Sequence, residues 1–163
     1  MPFGARQVWD GSAYAHEVPE PHDLADFDRF DVYCAAHQDE FGGRFADGER
    51  IFGVLFTDHV DEHEASLRAL LSHPELVVVR CADRPWRELE EANRRLARLL
   101  MGIPDHPDQR HPAVNGMGIG MADGQFTIMV MVDPERRDAV EEIVALVHPE
   151  PITIHLAGPM HRL

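Results

Sequence analysis

The 163-residue chain contains no lysine, three serines and two cysteines. Cys34 and Cys81 are too few for the disulfide framework of a small secreted domain, so we expect two unbridged, buried thiols, with one bridge between them as the alternative. No run approaches the roughly 18 consecutive apolar residues of a membrane helix. Residues 1–10 lack the basic and apolar stretches of a secretory signal. These absences predict a cytoplasmic protein that does not enter a membrane.

The charge is strongly one-sided. The 29 acidic residues outnumber the 15 arginines and give a formal net charge of −14. Such a surface repels phosphate groups, which argues against nucleic acid and anionic membranes as partners. A basic protein or a cation would be favoured instead.

The chain also contains an internal repeat. Ile51–Glu75 aligns without gaps on Phe126–Glu150, at an offset of 75 positions, and both copies end in His-Pro-Glu. Just upstream, Asp47-Gly48 matches Asp123-Gly124 at an offset of 76. Three landmarks in the same order predict a duplicated structural unit.

The shared landmarks predict a hairpin, a helix and a strand in each copy. Asp-Gly accepts the positive φ angles of a tight hairpin turn. Asp58 and Asp133 follow apolar strands and are suited to cap the next helix. His73-Pro74 and His148-Pro149 would end those helices, because proline disfavours helical geometry at the residue before it.

The predicted element order is α–ββαβ–α–ββαβ, an α+β fold with mainly antiparallel sheet. We expect an irregular arm at 1–22, an N-terminal helix and the first ββαβ unit over 23–84, a linking helix and loop over 85–112, and the second ββαβ unit over 113–163. The helix of the linking segment has a strongly amphipathic pattern.

The first copy resembles a known family. The run Phe-Gly-Gly-Arg-Phe at 41–45, the Asp-Gly turn and the apolar strand Ile51–Thr57 resemble the pro-regions of bacterial serine proteases of the α-lytic protease and streptogrisin type, and small bacterial proteins like them. Helix Trp86–Leu100 and the second hairpin fit the same comparison. The resemblance implies repeated hairpin–helix–strand units and a non-catalytic role, because those pro-regions act as folding assistants and inhibitors.

The clearest candidate for metal chemistry is at the start of the first copy's helix. His59 and His63 are four residues apart and share a helix face, and Asp61 could complete a ligand set for a divalent metal such as zinc. The second copy has Pro134 and Asp138 in place of the histidines at the 75-residue offset. The alternative is an acidic, solvated helix N-terminus favoured by the helix dipole.

Other patterns are less specific. Asp105–His111 is either a ligand-binding loop or a polar linker. The glycine run Gly116–Gly120 leads into a turn and a strand, which favours a closely packed strand over a dinucleotide-binding loop. None of the serines lies in Gly-x-Ser-x-Gly.

The sequence therefore favours a non-enzymatic protein-interaction protein, such as an inhibitor, an immunity-type protein or an assembly factor, acting through its acidic surface or a sheet edge. The alternative is a metal- or small-molecule-binding protein, or an enzyme, with a site between the two repeats. A third class is a homo-oligomer that pairs through edge strands such as Ile152–Leu156.

Overall fold

A computed structural model describes residues 7–9, 14–16, 21–102 and 109–159 of the chain. It has the predicted α+β fold, and the order α–ββαβ occurs twice. The chain divides into two compact units, Met1–Pro85 and Trp86–Leu163. Each unit contains its own three-stranded sheet and its own hydrophobic core.

The first unit contains two small strands and one complete α–ββαβ repeat. Its elements are β1 (Gln7–Trp9), β2 (Tyr14–His16), α1 (Pro21–Ala36), β3 (Phe41–Asp47), β4 (Arg50–Phe56), α2 (Val60–Leu70), a 3-10 turn (Pro74–Leu76) and β5 (Val77–Cys81). The sheet order is β3-β4-β5, with β3 antiparallel and β5 parallel to β4. Gly48 occupies the hairpin turn at φ 59°, as the Asp-Gly signal predicted.

The core of the first unit forms around β4. Phe52, Val54 and Phe56 of β4 are buried, and they pack with Phe30 of α1 and Leu67 of α2. The helices therefore cover the sheet with their apolar sides. The outer sides of α1 and α2 carry most of the features considered below.

The second unit repeats this arrangement. Its elements are α3 (Trp86–Met101), β6 (Val114–Ala122), β7 (Gln125–Val132), a 3-10 helix (Pro134–Ala139), α4 (Val140–Val147) and β8 (Ile152–Leu156). The sheet order is β6-β7-β8, again with one antiparallel and one parallel pair. Both sheets are therefore mixed, because a strand that returns after a crossover helix pairs in parallel.

The helix expected as a link is part of the second unit's core. Leu89, Ala92, Leu96 and Leu100 of α3 are buried against β6, β7 and α4. The repeated unit thus begins with a helix in both copies, α1 in one and α3 in the other.

Strand β7 and helix α4 of the second copy correspond to β4 and α2 of the first at an offset of 76 residues. The ungapped alignment at an offset of 75 is therefore wrong by one position over these elements. The buried pairs show it: Phe52 with Ile128, Val54 with Val130, Phe56 with Val132 and Leu67 with Ile143. A slip of one residue exchanges the two faces of a strand, so the alternating burial decides the register. In the parallel pairings Phe52↔Val77 and Ile128↔Ile152, the last strands of the two copies are offset by 75 residues. The second copy is therefore one residue shorter between its helix and its last strand.

Two further expectations need correction. Within the arm at 1–22, described only at 7–9, 14–16 and 21–22, β1 and β2 form an antiparallel pair where we expected irregular structure. The sequence between the two strands contains Asp10-Gly11, which is a hairpin signal. The predicted start of the N-terminal helix at 23 is at Pro21 in the structure.

The predicted helix ends are confirmed in part. Asp133 caps the 3-10 helix by accepting a hydrogen bond from the Glu135 amide at 2.9 Å, and His148 is the C-cap of α4. Asp58 is not the N-cap of α2, because the N-cap is the next residue along the chain. His59 takes that position in the left-handed conformation at φ 51°, and its amide donates to Asp58 Oδ1 at 2.8 Å.

The cysteines are unbridged, but only one is buried. Cys34 lies in the core of the first unit, whereas Cys81 at the end of β5 is exposed. Burial raises the pKa of the Cys34 thiol to about 11. Cys34 therefore acts as a small core residue.

Candidate functional site

A cluster of polar side chains joins α1, the start of β3 and the start of α2. This histidine cluster consists of Tyr33, His37, Glu40, His59 and His63. The Tyr33 hydroxyl lies 2.8 Å from Nδ1 of His63, and Nε2 of His63 lies 2.6 Å from Oε2 of Glu40. The other Glu40 oxygen lies 3.0 Å from Nδ1 of His59. One carboxylate thus bridges the two histidines that the sequence singled out.

His63 is the buried centre of the cluster, and only 5% of it is exposed. Its ring stacks on Phe56 with a centroid distance of 3.8 Å and an interplanar angle of 16°. A buried imidazole is costly unless both nitrogens are hydrogen-bonded, and here both are. The ionised Glu40 carboxylate can only accept, so Nε2 of His63 donates and Nδ1 can accept from the Tyr33 hydroxyl.

The charges of the cluster support one another. The hydrogen bond from His63, followed by that from His59, lowers the pKa of Glu40. The hydrogen bond to Glu40 and the nearby charge of Asp58 raise the pKa of His59. Both pKa shifts favour the charged forms, an ionised Glu40 and a protonated His59.

Asp61, the third predicted metal ligand, is not the carboxylate that bridges the two histidines. Asp61 is exposed on α2, and the carboxylate that contacts both imidazoles is Glu40, which the sequence analysis missed. Within 7–9, 14–16, 21–102 and 109–159, no group of three or more histidine, cysteine, aspartate or glutamate side chains is arranged to hold a metal ion. A zinc site at His59, His63 and Asp61 stays a prediction from the sequence alone.

The geometry favours a structural role for the cluster over catalysis. Burial raises the pKa of the Tyr33 hydroxyl, which makes it a weaker nucleophile rather than an activated one. Both nitrogens of His63 are occupied by internal partners. The cluster therefore ties α1 and β3 to α2.

This tie is specific to the first unit. At the 76-residue offset, the position of His63 is occupied by Ala139, which is also buried. His59 corresponds to Glu135 at this offset, and Glu40 corresponds to Ala113, because the amides of Thr57 and Asp133 donate to the carbonyls of Glu40 and Ala113 in the two units. The second unit thus closes the same position with a small apolar residue.

An apolar groove lies beside the cluster, between α1 and α2. It has a volume of about 380 Å³ and is lined by Asp28, Arg29, Val32, Tyr33, Ala36 and Leu70. Val32 is 70% exposed and Leu70 is 42% exposed. Tyr33 belongs to both features, because its ring lines the groove and its hydroxyl contacts His63.

A buried carboxylate holds the walls of the groove together. Asp26 of α1 is fully buried. Its two carboxylate oxygens accept hydrogen bonds from the backbone amide of Ser72, a residue just beyond α2, at 3.0 Å and 3.1 Å. It also accepts the Arg29 guanidinium at 2.9 Å. Burial by itself raises the pKa of Asp26, but the hydrogen bonds from Ser72 and Arg29 outweigh it and leave that pKa lowered.

Negative charge is concentrated in the unit that contains the groove. Met1–Pro85 contains 17 acidic residues and 7 arginines, a net charge of −10, whereas Trp86–Leu163 contains 12 and 8, a net charge of −4. Asp28 lines the groove, and the charge of Glu62 on α2 contributes to the raised pKa of Tyr33. The groove therefore combines an apolar floor with acidic side chains near it.

Three of the four outer strands of the three-stranded sheets, β3, β5 and β6, carry features that oppose pairing with another strand. The outer strands β3 and β6 both contain register shifts of the β-bulge type. On the opposite edge, Arg80 of β5 pairs with Asp47 at 2.7 Å and lies over the Phe45 ring. Bulges and charged side chains are common means of preventing strand addition.

The remaining sequence candidates lie in other places. Within the Asp105–His111 loop, 105–108 fall outside the described residues, and His111 Nδ1 accepts the Ala113 amide at 3.2 Å. The glycine run lies in β6, as predicted. A Cβ at Gly120 would collide with Sδ of Met129, so close packing favours glycine there, whereas a Cβ at Gly116 would meet only the flexible end of Met131.

No family model, curated protein or solved structure matches this chain. No helix in the described part of the chain is long and apolar enough to cross a membrane.

Proposed function

We propose that this chain is a non-enzymatic protein-interaction protein that binds a basic, amphipathic helix of its partner in the groove between α1 and α2. The observation that carries the proposal is the exposure of Val32 and Leu70 in one groove. This groove lies in a unit with a net charge of −10.

The apolar part of the groove supplies the binding energy. A single exposed apolar side chain is ordinary, but Val32, Ala36 and Leu70 line one continuous depression. Grooves between two helices commonly accept the apolar face of a third helix. Removing Val32 and Leu70 from water would make a main contribution to the affinity.

The charge supplies the selectivity. Asp28 and Glu62 would face basic side chains on either side of the partner's apolar stripe, and the excess of negative charge would attract such a segment from a distance. Binding should therefore weaken as salt is added.

The groove is favoured over the edges at β3, β5 and β6, because bulges on β3 and β6 and the charged Arg80 on β5 oppose strand pairing. The resemblance to protease pro-regions is in keeping with this role, since those segments act by binding another protein. An inhibitor, an immunity-type protein or an assembly factor would use such a surface.

A synthetic helical peptide provides a direct test. A labelled peptide of leucine and lysine, patterned so that leucine lies on one face, is titrated with protein and followed by fluorescence anisotropy. The variant Val32→Ser/Leu70→Ser should bind it about tenfold more weakly than the wild type. The matched control Val144→Ser/Leu146→Ser removes apolar residues of similar exposure from α4 and should bind like the wild type.

Two results would contradict the proposal. One is the absence of binding to the leucine–lysine peptide at low salt. The other is an equal loss of affinity in the groove variant and the α4 control. A peptide with glutamate in place of lysine tests the charge separately, and it should not bind.

A further inference from the structure

The outer face of α3 is basic and apolar, although the chain as a whole is acidic. Arg94, Arg95, Arg98 and Leu99 are exposed, and together with Glu91 they line a shallow depression. Leu99 is 47% exposed. These residues are spaced three and four apart, so they share one side of the helix.

The charges of two of these arginines are not neutralised locally. Arg95 pairs with Glu150 at 3.1 Å. For Arg94 and Arg98, no carboxylate of the described residues lies within 4.0 Å. Two guanidinium groups next to an exposed leucine therefore face the solvent.

This face has the chemistry that the groove in the first unit requires. The groove presents Val32 and Leu70 with Asp28 and with Arg29, whose guanidinium pairs with Asp26, and the helix presents Leu99 with Arg98 beside it. The apolar residues would fit together, and the opposite charges would lie beside them. The exposed side of α3 thus offers one apolar side chain, Leu99, among basic ones, because Leu89, Leu96 and Leu100 are buried in the core of the second unit.

We propose that the occupant of the groove is α3 of a second copy of this chain. The proposal rests on the proposed function, since it uses the same groove. Because the groove and the helix are different surfaces, the contact is heterologous and extends into open chains of molecules unless it closes into a ring. One helix in one groove is a small interface, so we expect a dissociation constant on the order of 10–100 μM.

The first test measures mass against concentration. Light scattering and sedimentation are recorded from about 5 μM to about 1 mM protein, at low and high salt. The mass-average of the wild type should rise with concentration and fall back when salt is added. The variant Arg94→Glu/Arg98→Glu should stay monomeric, and the control Arg136→Glu/Arg137→Glu, with the same charge change at exposed positions, should associate like the wild type.

A charge exchange identifies the two surfaces. One variant carries Asp28→Arg/Glu62→Arg in the groove, and the other carries Arg94→Glu/Arg98→Glu on α3. Each alone places like charges opposite each other and should be monomeric. Their equimolar mixture restores opposite charges at every contact and should associate again. All four positions are exposed, so circular dichroism should show that the variants keep their fold.

The outcomes separate this proposal from the proposed function. A wild type that stays monomeric up to about 1 mM, or a mixture that does not associate, overturns self-association. If that monomer still binds the leucine–lysine peptide through Val32 and Leu70, the proposed function stands and only the occupant is wrong. If it does not bind the peptide either, both proposals fail.

Discussion

The hydroxyl of Tyr33 lies 2.8 Å from Nδ1 of His63, while the Tyr33 ring lines the groove between α1 and α2. One side chain thus takes part both in a partly buried hydrogen bond and in an exposed groove. If Tyr33 turned, the groove would change, and His63 would lose the partner of one nitrogen.

Tyr33→Phe should therefore lower the free energy of unfolding by about 1–3 kcal/mol, because it leaves Nδ1 of His63 buried without a partner. Urea unfolding measures the change. The double variant Tyr33→Phe/His63→Leu should lose less than the sum of the single losses, because it removes both polar partners together. Additive losses would show that the two side chains are not coupled.

Glu40→Gln should lower the pKa of His59 towards its ordinary value of about 6.5. The reason is that the hydrogen bond to the Glu40 carboxylate is the main cause of the raised pKa. An NMR titration of the imidazole signals measures it. The control Glu75→Gln removes the carboxylate that contacts His73 at 3.2 Å and should leave His59 unchanged. An unchanged His59 titration in Glu40→Gln would contradict the bridge.

The same pair predicts a pH window for stability. The pKa of His59 is raised, so its contribution is complete below about pH 6.5 and is lost as the pH rises through the folded-state value. The pKa of Glu40 is lowered, so its contribution is complete above about pH 4.3 and is lost as the pH falls. The destabilisation caused by Glu40→Gln should therefore be largest between these limits, and a difference independent of pH would argue against it.

Asp26→Ala should cost about 3 kcal/mol of unfolding free energy, because the Ser72 amide and Arg29 lose a buried charged acceptor. Asp28→Ala, two residues along the same helix and exposed, is the control and should change stability by less than about 0.5 kcal/mol. The pKa of Asp26 is lowered, so its contribution is present above about pH 3.9 and is lost as the pH falls through the folded-state value. The stability of Asp26→Ala should thus converge towards that of the wild type at acid pH.

Much of the fold could be predicted from local signals. Asp-Gly turns, apolar strands and helical spacing depend on neighbouring residues, and they correctly indicated both ββαβ repeats. The alignment at an offset of 75 was wrong by one residue over the strand and the helix. It was set by His-Pro-Glu, the most visible match, which lies after the point where the second copy is one residue shorter. Only the burial of alternate residues such as Phe52 and Val54 shows the true register.

The site was harder to predict, because its parts come from separate elements. His59 and His63 were visible as a helical pair, but Tyr33 and Glu40 lie 30 and 23 residues before His63. No spacing rule connects a helix, a turn and a second helix. The groove also depends on which sides of α1 and α2 remain exposed after the core has formed, and that is a property of the packed structure.

The comparison of the two units gives a last prediction. Ala139 occupies the position that His63 holds in the first unit, and it is 3% exposed within the second core. Ala139→His should destabilise the protein by more than 2 kcal/mol, roughly, because the imidazole would be larger than the space and would lack the partners that Tyr33 and Glu40 provide to His63. The exposed neighbour Asp138→His is the control and should be nearly neutral. Thermal unfolding of both variants measures the difference, and equal melting temperatures would mean that the second unit can satisfy a histidine there as the first unit does.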